Sequence, residues 1–238
     1  MADGFFNLFS EGRLELPVTP VDSVPATVAW GDIMTNRILV GVSVLLILFA
    51  IPDFLRLFPV ISECFLRKKA NSELEHSVST ARQRNVCALL MVIPFCAVAD
   101  RFKLYAPSFM DFIPVNWSAP ATVVIFLVFL LVREVLFRSF CPRMGQEAMN
   151  TVHHTPYNYF IRLTSVMLAT CGIFFIFKLP DSVCHTVLLW EIAIVYMLST
   201  IRCSQFLRQQ CSGLATILYL CALEILPAAM IIVSAVML

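Results

Sequence analysis

Between residue 38 and residue 238 the chain carries six apolar stretches, at 38–58, 86–102, 119–137, 159–177, 183–201 and 213–238. Each is close to the roughly 20 residues that an α-helix needs to cross about 30 Å of hydrocarbon. A segment in lipid must satisfy its own backbone polar groups, so runs of this length are read as helices. The expected fold is therefore all-α: a polytopic membrane helical bundle of six transmembrane helices over residues 37–238. Residues 1–36 form an N-terminal tail, in which Phe5, Phe6, Leu8 and Phe9 suit a short helix resting on the membrane interface.

Composition closes off the alternatives. With 59% of residues apolar and 14% charged, the chain holds more apolar surface than one soluble core can hide. A net charge of +1 excludes the broad basic footprint that drives nucleic-acid binding. The nine cysteines are odd in number and contain no CxxC, so they read as small apolar packing residues rather than a disulfide or zinc framework. The 86–102 stretch is the weakest span. Arg82, Arg84, Asp100 and Arg101 crowd its ends and Pro94 interrupts it, and a re-entrant path there would leave five crossings.

Lys and Arg set the orientation, because they are retained on the cytoplasmic side during insertion. One set of connections carries ten: Arg67, Lys68, Lys69, Arg82 and Arg84, then Arg133, Arg138 and Arg143, then Arg202 and Arg208. The opposite side carries five, Arg13, Arg37, Arg101, Lys103 and Lys178, so both termini are expected outside. The inside loop holding His153 and His154 reads as solvated, and two adjacent histidines diverge too far on a helix to make a metal site. Outside, the aromatic-rich 97–120 segment suits the interface, and Asn116-Trp117-Ser118 matches a glycosylation sequon only by a three-residue pattern.

Charges deep in a span cost about 2.5 to 3.5 kcal/mol on insertion scales and default to the bundle interior. Glu191, Glu224 and Arg162 are the three candidates, expected to form one intramembrane polar cluster, with both carboxyls at similar depth. Arg162 shares a helix face with Ser165, Ala169 and Gly172, small residues that permit close helix approach. Glu224 shares one with Gly213, Cys221 and Ala228. Pro227 removes the backbone bond to the carbonyl of Leu223, placing a kink beside the Glu224 carboxyl, as Pro94 does in the second span.

Such a cluster either fixes helix register or relays protons and solutes. HExxH, GxSxG, a P-loop and a Gly-rich dinucleotide turn are all missing from the sequence, so no catalytic residue, metal or cofactor is expected.

The run ILYLCALEILPAAMII, the upstream YNYFIRLTSVMLA and the six-span plan together resemble an uncharacterised family of Bacteroidetes inner-membrane proteins, domain of unknown function 4271. The specific part of the likeness is LYLCALEILP, which holds Glu224 and Pro227. The resemblance implies a multi-pass protein of the bacterial inner membrane, in a Gram-negative envelope, and carries over no catalytic residue.

The expected function is a non-enzymatic membrane component that scaffolds or assists an envelope complex, with a secondary transporter or proton-coupled carrier as the alternative. Its expected partners are the lipid bilayer and a membrane protein or a second copy of the chain. Reporter fusions after Lys69, Arg143 and Arg208 are all expected to report cytoplasm, and a periplasmic signal from any one of them contradicts the topology.

Overall fold

The computed structural model describes residues 29–66, 74, 77–139 and 146–237; the expected interfacial helix of the N-terminal tail lies outside them. Among the described residues every regular element is helical, and six helices are long and apolar enough to cross a membrane. The chain is a multi-pass membrane protein. Its helices are α1 (Met34–Leu66), α2 (Val78–Leu90), α3 (Val92–Arg101), α4 (Ser118–Ser139), α5 (Gln146–Phe177), α6 (Asp181–Gln210), α7 (Gly213–Leu220) and α8 (Leu226–Met237). A π-helical turn, Cys221–Ile225, joins α7 to α8.

The second span is complete. Together α2 and α3 cover Val78–Arg101, 24 residues, or about 35 Å of rise at 1.5 Å per residue. The helix breaks at Met91, three residues before Pro94, whose missing N–H and bulky ring deny the carbonyl of Leu90 its usual partner. The weak apolarity of this span has a physical reason. In its most apolar window 61% of residues are buried in the bundle, against 11% to 22% for the other five spans. It contacts α1, α4 and α5, and Arg84, Cys87 and Cys96 on it are fully buried. A helix that meets protein on most sides has no need of a continuous apolar surface, because lipid touches only a part of it, here at Val86 and Leu89.

Several helices extend beyond the apolar stretches that mark them. The fourth span begins well before residue 159, with α5 starting at Gln146, so His153 and His154 are helical rather than part of a solvated loop. The polar residues that make this region look like a loop turn inward: Thr151, Thr155 and Asn158 are buried, and the Thr155 hydroxyl donates to the carbonyl of Thr151 at 2.6 Å. Likewise α6 continues past residue 201 to Gln210.

The end of the bundle opposite the basic connections is tied together around Asp100, a buried carboxylate at the end of α3. It accepts from the Trp30 indole N–H at 2.7 Å, the Ser118 hydroxyl at 2.6 Å and the Thr122 hydroxyl at 3.3 Å. One side chain thus joins the segment before α1, the second span and α4. Arg101 turns the other way, pairing with Asp181 of α6 at 2.9 Å with its guanidinium 5.9 Å from the Trp30 ring centroid. Tyr105 reaches Ser234 of α8 at 2.8 Å, bringing the last span to the same end. Beside this cap, Phe112 and Trp117 lie exposed on short 3-10 turns, the arrangement of an aromatic belt at a membrane interface.

Removing the Asp100 carboxylate leaves three donors in a poorly hydrated site. Asp100→Ala is expected to destabilise the purified protein by about 2 kcal/mol, and Asp100→Asn by less because its amide oxygen still accepts. Thermal unfolding in detergent measures both, and an Asp100→Ala variant as stable as the parent contradicts the assignment.

Candidate functional site

The last two turns of α4 read VREVLFRS, and helical spacing sorts them into two faces. Arg133 and Phe137, four apart, are buried in the bundle. Glu134 and Arg138, also four apart, lie on the neighbouring face and form an ion pair at 2.9 Å. The carboxylate of Glu134 also meets His153 Nε2 at 2.7 Å, linking α4 to α5. The His153 ring lies between those of Phe137 and His154, tilted against both, with ring centroids 4.4 and 4.6 Å away.

Arg133 is the centre of the site. Its Nη2 donates to Glu224 Oε1 at 2.9 Å, and the two side chains are only 8% and 12% exposed. The same nitrogen lies 3.4 Å from the carbonyl of His153, and the guanidinium carbon sits 5.7 Å from the Tyr157 ring centroid. Phe137, Val152, Leu207 and Leu223, from four spans, form a buried apolar cluster. In such surroundings each charge depends on the other, since an isolated one faces a large desolvation cost.

Glu224 lies on the π-helical turn, where the N–H of Leu226 reaches back five residues to the carbonyl of Cys221. Pro227 follows at once and has no N–H to give to the carbonyl of Leu223. The Tyr196 hydroxyl of α6 donates to the backbone carbonyl of Glu224 at 3.0 Å. Pi turns of this kind recur at functional sites in membrane and soluble helices alike.

Glu191, Glu224 and Arg162, expected to meet, are instead placed in three separate environments. Glu191 accepts from the Thr170 hydroxyl on α5, and its other oxygen is buried without a partner. Arg162 crosses to α1, where it lies 4.5 Å from the Phe58 ring centroid and 3.4 Å from the Ser62 hydroxyl. The separation follows from helix length. Because α6 runs on to Gln210, Glu191 stands 19 residues from its C-terminal end, whereas Glu224 stands 11 residues from the start of α7. The difference corresponds to about 12 Å of rise. The small-residue face of Arg162 is also not packed within the chain: Ala169 and Gly172 are exposed, and a Cβ added at Gly172 would meet nothing within 4 Å.

The partner missed from sequence is Arg133, together with Tyr196. Arg133 belongs to the third apolar stretch itself, with Val135, Leu136 and Phe137 beyond it, and the signal for burial was that continuation. Among the described residues no group of three or more His, Cys, Asp or Glu side chains is gathered as for a metal ion. No family model, curated protein or solved structure matches the chain.

Proposed function

We propose that this chain is a non-enzymatic integral component of a bacterial inner membrane that scaffolds or assists an envelope complex, with both termini on the periplasmic side. The observation that carries this reading is the distribution of buried polarity. Asp100, the Arg133–Glu224 pair, Glu191 with Thr170, and Arg162 with Ser62 each join different helices at different places. Such contacts fix helix register and leave a rigid body whose apolar faces are free to meet lipid or other spans. The broadest is on α1, where Met34, Leu45, Phe49 and Leu55 are all more than half exposed.

A proton-coupled carrier is the second reading, and one feature favours it. From Glu224 a polar chain runs through Arg133 to the backbone of His153, and the His153 ring continues it to Glu134 and Arg138 near the basic end. A carboxyl on a π turn at the inner end of such a chain is the kind of group that relays protons.

Glu224→Gln separates the two, because an amide keeps a hydrogen bond to Arg133 while losing proton exchange. The scaffold reading predicts that the parent protein, extracted in mild detergent, has a native mass above the 26.8 kDa of one chain, through a stoichiometric partner or a second copy, and that Glu224→Gln retains it. A single chain that drives gradient-coupled flux in proteoliposomes, with Glu224→Gln abolishing that flux, contradicts it.

A further inference from the structure

The run WGDIMTNR opens the first span and folds back on itself. Trp30–Asp32 is a 3-10 turn, held against the first turn of α1 by three hydrogen bonds. Asn36 Nδ2 donates to the carbonyl of Trp30 at 3.0 Å, Arg37 Nε to the carbonyl of Gly31 at 2.7 Å, and Arg37 Nη2 to Asp32 Oδ1 at 2.9 Å. Turn and helix border a cleft of about 280 Å³, lined by Trp30, Gly31, Asn36, Arg37 and Val40. That volume is at the lower end for small-molecule sites, which suits a headgroup rather than a whole lipid.

Two side chains at the cleft have bonding capacity left over. Asn36 is fully buried, and its Oδ1 has no hydrogen-bond partner among the described residues. The Nδ2 bond to Trp30 fixes which end of the amide is oxygen, so the orphan is an acceptor and calls for a donor. Arg37 is exposed, and its Nη1 has no protein partner among the described residues. The Asp32 carboxylate beside it cancels its charge, so the cleft offers a cation, an anion and a neutral acceptor with no net charge.

Position selects the source of the ligand. Trp30 and Ser118 both donate to Asp100, which puts the cleft at the level of the exposed Trp117 and of the lipid headgroups. Deeper along α1, Val40, Val44 and Leu48 are spaced four apart and exposed, an apolar stripe leading away from the cleft. We propose that this cleft binds one membrane phospholipid with a zwitterionic, primary-ammonium headgroup. The ammonium donates to Asn36 Oδ1 and faces Asp32, the phosphate accepts from Arg37, and one acyl chain follows the Val40–Leu48 stripe. A choline headgroup carries the same charges but no N–H, so it leaves Oδ1 unpaired. An anionic headgroup supplies no cation to Asp32. The site is independent of both the scaffold and the carrier reading.

Native mass spectrometry of the full-length protein, delipidated in mild detergent and titrated with dioleoyl phospholipids, tests the site. Phosphatidylethanolamine is expected to bind one per chain, about tenfold more tightly than phosphatidylcholine and more tightly than phosphatidylglycerol. Asn36→Ala is expected to lower phosphatidylethanolamine to the level of phosphatidylcholine. Arg37→Gln, at an exposed position, is expected to weaken both lipids alike, and this readout stands even if the Asn36 variant fails to fold. Glycerophosphoethanolamine, the same headgroup without acyl chains, is expected not to displace the bound lipid at equal concentration. The proposal is overturned if the parent protein binds phosphatidylethanolamine and phosphatidylcholine equally, if phosphatidylglycerol binds more tightly than either, if Arg37→Gln leaves the affinities unchanged, or if glycerophosphoethanolamine competes on equal terms.

Discussion

Arg133 and Glu224 lie 2.9 Å apart in the interior of the bundle, and each offsets for the other the cost of being charged there. That pairing sets how α4 meets the last span. The π turn gives Glu224 its position, Pro227 fixes where the regular helix resumes, and Tyr196 of α6 satisfies the carbonyl of Glu224 itself. Three spans are therefore held in register by groups within a few ångströms of one carboxylate. The apolar contacts between these helices are non-directional and tolerate sliding, whereas a buried ion pair with defined hydrogen bonds does not.

The same demand explains the centre of the bundle. Lipid-facing helices must be apolar along the surface that meets hydrocarbon, and α1 meets that demand from Ile38 to Leu55. The second span escapes most of it by being largely buried in the bundle, which permits a buried Arg84, a helix break at Met91 and a carboxylate at Asp100. Its polar residues then find donors and acceptors on the helices around it. A span that looks marginal by apolarity is for that reason the innermost one, and its polar ends bind the surrounding helices together.

Most of the architecture was legible in the sequence because the bilayer imposes a length on every apolar run. The six spans, the tight turn at 178–180 and the aromatic segment before α4 follow from that one constraint. Helix ends were less legible. Residues such as Thr155 and Asn158 signal a loop by composition and are buried by tertiary packing, which no local pattern reports. The site was legible only in part. Glu224 and Pro227 stood out as a carboxyl and a helix breaker in an apolar run, but its partner depends on relative depth. An error of nine residues in the end of α6 shifts Glu191 by about 13 Å along the membrane normal, enough to suggest a cluster where there are separate contacts. Arg133, near the end of its span, fits by position a cation that snorkels to the surface, and only the apolar residues beyond it, Val135 to Phe137, point to its burial.

The account stands on Glu224 being coupled to Arg133 and not to Arg162. Two double-mutant cycles measure this directly, one combining Glu224→Gln with Arg133→Gln and the other combining Glu224→Gln with Arg162→Gln, each followed by reversible unfolding in mixed micelles. The account predicts a coupling energy of about 1 kcal/mol or more in the first cycle, and in the second a value within the roughly 0.5 kcal/mol scatter expected of independent sites. Coupling to Arg162 with none to Arg133 would contradict it.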